Sequence, residues 1–159
     1  MQALAWVVFL VLGMFLFGDL LEKQFNPNHS PETRSDDGVR EVTLQRNRQG
    51  HYVTTGRING EKVTFLLDTG ATGVAIPAPV AQKLGLQRGR AYRTQTANGL
   101  STSYATVLSE VSIGDIRLDN VEAGIAAGLN MEAILLGMSF LKHIEFSQRG
   151  DTLVLRQYL

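Results

Sequence analysis

From Gly38 onward, apolar and polar residues alternate in short runs broken by turn formers, the pattern of a mostly β domain. Strands are expected over 39–46 and 51–59, joined around Asn47-Arg48-Gln49-Gly50, and over 62–68, joined to the second through Asn59-Gly60. Asn-Gly is the strongest short hairpin signal, because both residues accept the positive φ that a two-residue turn demands. A second such turn, Asn98-Gly99, divides 92–97 from 100–108, and the remaining strand candidates are 111–113, 116–123, 133–136, 144–147 and 152–156. One stretch of the body reads as a helix, 77–84, with Pro77 at its start, Val80 and Leu84 on one face and Gly85 to close it. No internal repeat is visible, which excludes a tandem of two similar lobes.

Ahead of the domain the pattern is different. Residues 3–18 form an uninterrupted apolar run, extended by Leu20 and Leu21 around Asp19, close to the roughly 20 residues that a membrane-spanning helix needs. No Lys or Arg precedes the run and no small-x-small site follows it, so it reads as a retained anchor, with a cleaved signal peptide as the alternative. Residues 25–38 are rich in turn formers and charge and nearly devoid of apolar side chains, as in a flexible tether. The expected organisation is an anchor and its flank over 1–24, a tether over 25–38 and one β domain over 39–159. Asn28-His29-Ser30 fits a glycosylation pattern, a weak signal on its own.

Composition narrows the function. In 159 residues, Lys plus Arg and Asp plus Glu both number 15, so no net field draws the chain to nucleic acid. From Val39 onward lie 13 of the basic and 10 of the acidic residues, leaving a mildly basic body and a mildly acidic leader. Cysteine is absent, which removes disulfides, thiolate metal sites and a cysteine nucleophile together. The three histidines, His29, His51 and His143, have no ligand spacing, and neither a metal nor another cofactor is expected.

Candidate chemistry rests on Phe65-Leu66-Leu67-Asp68-Thr69-Gly70-Ala71-Thr72 and, far downstream, Ile134-Leu135-Leu136-Gly137. An ionised carboxylate at the end of an apolar strand is costly unless its charge has a use. Thr69 adds a hydroxyl, and Gly70 a position without Cβ where chains can approach closely. With the flanking Val63-Thr64, Gly73-Val74-Ala75-Ile76-Pro77 and Met138-Ser139-Phe140-Leu141, this ordered set resembles the small, single-motif bacterial branch of the retroviral-type, pepsin-clan aspartic proteases, over roughly residues 49–157. The resemblance implies a small closed β-barrel with one or two short helices, preceded here by the transmembrane helix. It implies Asp68 as the catalytic residue, Thr69, Gly70 and Ala71 as support of its loop, and Leu135, Leu136 and Gly137 as the loop packed beside it. Ser139 then reads as a cap for the short helix after Gly137.

The hairpin around Asn98-Gly99 carries Thr94, Gln95, Thr96, Ser101, Thr102 and Ser103, with no apolar stripe to bury. Such a hairpin is marginal alone and should project. Its place some thirty residues past Asp68 resembles the clan's flap, with Thr96, Ala97, Asn98 and Gly99 at the tip.

Metal-free peptide hydrolysis needs one group to accept a proton and another to give one. Two close carboxylates that share a proton meet that need, and a twofold homodimer placing Asp68 beside its copy would supply them. The expected function is therefore an aspartic endopeptidase acting on peptide or protein as a membrane-held homodimer, with its domain in the periplasm by resemblance to the bacterial branch. Two rivals stand beside it: a peptide-binding module of the same fold that does not cut, and a domain that mainly releases itself from its anchor. Arg88, Arg90 and Arg93 read as a solvated face, and Asp115, Asp119 and Asp151 as turn residues.

Overall fold

The computed structural model describes residues 2–96 and 99–159, with the side chains of residues 2–5, 15–17, 19 and 96 also outside that description. In chain order the elements are α1 (Gln2–Phe25), β1 (Glu32–Asp36), β2 (Val39–Gln45), β3 (Val53–Ile58), β4 (Glu61–Leu67), β5 (Val74–Pro77), α2 (Ala78–Lys83), β6 (Ala91–Thr96), β7 (Gly99–Ile113), β8 (Ile116–Ala126), β9 (Ile134–Leu136), α3 (Met138–Leu141), β10 (Glu145–Arg149) and β11 (Thr152–Tyr158).

The strands form two sheets. One runs β1-β2-β11-β10; the other runs β3-β4-β9-β5-β8-β7-β6, and β3 also pairs with the far end of β7 through Arg57–Ser112 and Ile58–Val111. That extra pairing brings the run β3-β4-β9-β5-β8-β7 back upon itself, and the smaller sheet stands as a second one beside it. Alternation along each strand delivers the core: Val42 and Leu44 from β2, Val63 and Phe65 from β4, and Leu153 and Leu155 from β11 are buried with Ile76, Leu108, Ile125, Ile134, Leu136 and Phe140. The Asn59-Gly60 turn forms as expected, with φ of 51° and 86° and Ile58 paired to Glu61 across it. Helix α2 begins directly after Pro77, as its sequence requires.

Three expectations change. The turn at 47–50 joins β2 to β3 as expected, but the two strands lie in different sheets, and the Asn47 side chain shapes the turn between them. Its Oδ1 accepts from the Gln49 and His51 N–H groups at 3.0 and 2.9 Å, and its Nδ2 donates to the Phe25 carbonyl at 2.9 Å. The presumed tether holds hydrogen-bonded structure instead of being loose throughout. Asn28 donates to the Gln45 and Val53 carbonyls at 2.9 and 2.7 Å and accepts from the Gln45 N–H at 2.7 Å. Beside it, Asn26 donates to Thr55 Oγ1 at 3.0 Å and accepts from the Asn28 N–H, and β1 pairs with β2 along its whole length. Asn28 is buried, so its glycosylation pattern is inaccessible in the folded chain.

The third change concerns the anchor. The N-terminal segment is helical, but among the described residues no helix is long and apolar enough to cross a membrane. A spanning helix is therefore not among the elements the structure defines. Along α1, Trp6, Phe9, Leu12 and Met14 are all more than half exposed.

On β11, an interior strand of the smaller sheet, Arg156 lies between Glu41 (2.7 Å) and Glu145 (3.4 Å), whose hydrogen bonds and charges push its guanidinium further above its already high value. The hydrogen bond that Tyr158 donates to Glu145 raises that phenol in the same way.

Candidate active site

Asp68 stands one residue beyond β4, and the sheet fixes it from both sides. The Leu67 N–H donates to the Tyr52 carbonyl at 2.9 Å, and the Asp68 N–H donates to the Leu136 carbonyl at 3.2 Å. The loop then turns on the aspartate itself. Asp68 Oδ1 accepts from the Gly70 N–H at 2.9 Å, and the Asp68 carbonyl accepts from the Ala71 N–H at 3.2 Å. Carboxylate self-bonding of this kind is what makes Asp a loop former. Asp68 is half-buried, and Thr69 and Gly70 are exposed.

The downstream apolar run meets this loop through parallel pairing. Residues 65–67 of β4 lie in register with 134–136 of β9, and Ala75 of β5 pairs with Leu135 from the other side. Gly137 then crosses the loop so closely that a Cβ would lie 2.5 Å from the Ala71 carbonyl oxygen and within 2.9 Å of the Gly73 backbone. Only glycine allows that approach. The Met138 and Ser139 N–H groups donate to the Ala71 and Thr72 carbonyls at 2.9 and 3.0 Å, knitting the two segments together. Leu136 is buried beneath, whereas Leu135 faces the cleft.

Ser139 does not cap α3; no side chain caps that helix. Its hydroxyl accepts from the Val74 N–H at 3.0 Å and donates to the Glu122 carbonyl at 2.9 Å, tying α3 to β5 and β8. Val74 is buried, so losing the hydroxyl strands its N–H away from water. We expect Ser139→Ala to lower unfolding stability by roughly 1–3 kcal/mol, measured by urea denaturation. A midpoint equal to wild type would show that the bridge contributes nothing.

Asp68 opens into a cleft of about 1370 Å³. Its walls are the loop 70–75, the segment 84–89 after α2, strand β8 around Gly124, and the β6–β7 hairpin through Thr94, Gln95, Ser101 and Ser103. The hairpin stands where the flap was expected, its strands paired from Ala91–Tyr104 to Thr96–Gly99 and cross-linked by a Thr94–Ser103 hydrogen bond of 2.9 Å. Of the four expected tip residues, Ala97 and Asn98 lie outside the described residues, whereas the backbones of Thr96 and Gly99 are paired. Thr69 is not among the cleft-lining residues. Among the described residues, no group of three or more His, Asp or Glu side chains could hold a metal ion.

Sequence reasoning passed over Tyr92 and Gly124 and gave Ser139 only a capping role; all three line the cleft. Gly124 carried a usable signal, since glycine inside a strand pattern marks a close approach.

Residues 54–143 match the family model described as gag-polyprotein putative aspartyl protease. The chain is 36% identical over 144 residues to an uncharacterized protein encoded in the cobV 5′ region of Sinorhizobium sp, an alignment covering 88% of this chain and 62% of that protein. It is 32% identical over 129 residues to an uncharacterized protein of Rickettsia prowazekii (strain Madrid E), covering 79% and 55%. The chain thus spans about three fifths of the length of the curated relatives it matches. Among solved structures, a retropepsin-like aspartic protease from Rickettsia conorii superposes with a TM-score of 0.64 at 32% identity, covering 81% of this chain and 96% of that one. The chain belongs to the retropepsin-like aspartic protease family.

Proposed function

We propose that the protein is an aspartic endopeptidase whose catalytic centre is a pair of Asp68 carboxylates contributed by two copies of the chain. The observation that carries this reading is the setting of Asp68: a half-buried carboxylate, held by the Gly70 N–H, at the wall of a cleft of about 1370 Å³. One carboxylate cannot both accept a proton from water and give one to the scissile amide. Glu122 also lines the cleft, but β9 and β5 lie between its strand and that of Asp68, a separation of about 14 Å along the sheet. That is too far to share a proton. The exposed Thr69 and Gly70 favour the alternative source, a second copy meeting the first at this loop, as an isologous contact allows. In the pair, one carboxylate takes the proton of the attacking water as the other, protonated, donates to the carbonyl oxygen. Thr69 and Gly70 lock and space the two loops.

In the same reading the exposed apolar side chains of α1, Trp6, Phe9, Leu12 and Met14 among them, seat the protein on a bilayer surface. The body then lies on the periplasmic side, a placement taken from the bacterial branch that the sequence resembles. A reporter fused after Leu159 that is active only in the cytoplasm would reverse this orientation.

A two-chain centre makes activity depend on concentration. Specific activity should fall as the full-length protein in detergent is diluted from micromolar to nanomolar, and it should vanish as rising pH removes the shared proton. Specific activity constant over that range in a sample that sediments as a monomer would exclude the two-chain centre.

A further inference from the structure

The floor of the cleft is a row of four residues, three of them small, with one large ring lying on it. Leu135, Ala75, Gly124 and Ala105 are consecutive neighbours in register across β9, β5, β8 and β7, and all four line the cleft. The row starts beside the strand that carries Asp68 and ends under the flap hairpin. Tyr92 enters from β6, paired with Ser103, and is the one aromatic among the described cleft-lining residues. Its ring crosses β7 to rest on Gly124. A Cβ on Gly124 would overlap the Tyr92 hydroxyl and stand 3.4 Å from Cζ and 3.8 Å from Ser103 Cβ. Gly124 and Ser103 are buried beneath the ring, which is itself 44% exposed to the cleft. Among the described residues the Tyr92 hydroxyl has no hydrogen-bond partner, and the ring end packs directly on Gly124.

We propose that Tyr92 is a specificity-determining residue: seated on Gly124, it fills the hollow that the small-residue row would otherwise leave, and it restricts the peptide side chain landing there to small ones such as Gly, Ala or Ser. The proposal rests on the endopeptidase reading for its substrate class, and on the geometry of the cleft for its content. The site lies no more than about 14 Å along the sheet from Asp68, three strand spacings. At about 3.3 Å per extended residue, this places the restricted side chain within roughly four residues of the scissile bond.

The test uses the full-length protein and a peptide series in which each position within four residues of the cut carries Ala or Trp in turn. Wild type should prefer Ala over Trp at one position by at least about tenfold in kcat/KM, the range that a filled hydrophobic hollow commonly yields. Tyr92→Ala should bring that ratio to about one or invert it, leaving the other positions unchanged, whereas Tyr92→Phe should keep the wild-type ratio. Equal ratios in wild type and Tyr92→Ala at every position would overturn the proposal, as would loss of the preference in Tyr92→Phe. The same peptides are also titrated onto Asp68→Asn and Asp68→Asn/Tyr92→Ala by calorimetry. If wild type cuts no peptide but Asp68→Asn shows the preference and the double variant loses it, the endopeptidase reading fails and this proposal stands. If no peptide binds to either variant, both fail. Circular dichroism melts confirm that each variant compared is folded; a Tyr92→Ala chain that does not fold would show the ring to be structural and overturn the proposal.

Discussion

Replacing Asp68 with Asn should lower peptide hydrolysis by about ten-thousandfold, at the upper end of what positioned proton transfer contributes, with little change in stability. The two consequences separate because the carboxylate does two things. One oxygen accepts from the Gly70 N–H at 2.9 Å, a bond that the Asn amide oxygen can still accept. In the proposed centre the other takes the proton-transfer role, which the amide cannot fill. In a two-chain centre one substitution removes both titrating groups at once. Cleavage is followed by chromatography of a digested peptide mixture, alongside a thermal melt of the same sample. Near-normal hydrolysis by a folded Asp68→Asn protein would end the aspartic protease reading.

The second large effect is expected at Gly137. An added methyl would stand 2.5 Å from the Ala71 carbonyl oxygen and within 2.9 Å of the Gly73 backbone, and neither is the movable end of a side chain. Backbone must shift, and the bonds from Met138 and Ser139 to the Asp68 loop lengthen with it. Overpacking costs about 1–3 kcal/mol and each weakened hydrogen bond about 1 kcal/mol, so Gly137→Ala should lose roughly 3–5 kcal/mol. At about 2–4 °C per kcal/mol for a chain of this size, the melting temperature should drop on the order of 10 °C, with activity falling as well. Gly73→Ala is the control: its Cβ meets only Ser139 Oγ, at 3.8 Å, and should be tolerated within about 1 kcal/mol. Equal melting temperatures for the two variants would mean that the crossing at Gly137 is looser than its geometry.

What could be read in advance was whatever is encoded locally. The Asn59-Gly60 hairpin, the helix after Pro77 and the strands around Asp68 follow from turn chemistry and alternation, and they fall within a few residues of their expected limits. The resemblance implied that Leu135, Leu136 and Gly137 form the loop packed beside Asp68, and the structure brings Gly137 against the backbone of Ala71 and Gly73. Strand β1 gave no warning, since all five of its residues are exposed and pairing with β2 holds it without any apolar face. Strand β5 is four residues long and ends in Pro77, so it read as the lead-in to a helix. The roles of Asn28, Asn47 and Ser139 were hidden for a different reason. Each is a side chain bonded to backbone that lies far away in sequence or in another sheet, and no periodicity records such bonds. The parallel match of β4 with β9 joins residues almost seventy positions apart, which only the resemblance pointed to. Tyr92 on Gly124 is likewise a contact across two strand boundaries.

The asparagine bonds at Asn26 and Asn28 have a mechanical meaning. Between the fixed points at Asn28 and Glu32 only His29, Ser30 and Pro31 intervene, about 10 Å when fully drawn out, and His29 itself stands 3.5 Å from Glu22 of α1. A leash that short cannot be paid out into the chain's own cleft unless β1 peels away or the Asn28 bonds break. The end of the helix and the body therefore turn and translate as one piece, like a blade on a short shank. Whatever fixes α1 also fixes the height and heading of the cleft, and a peptide must travel to a stationary edge.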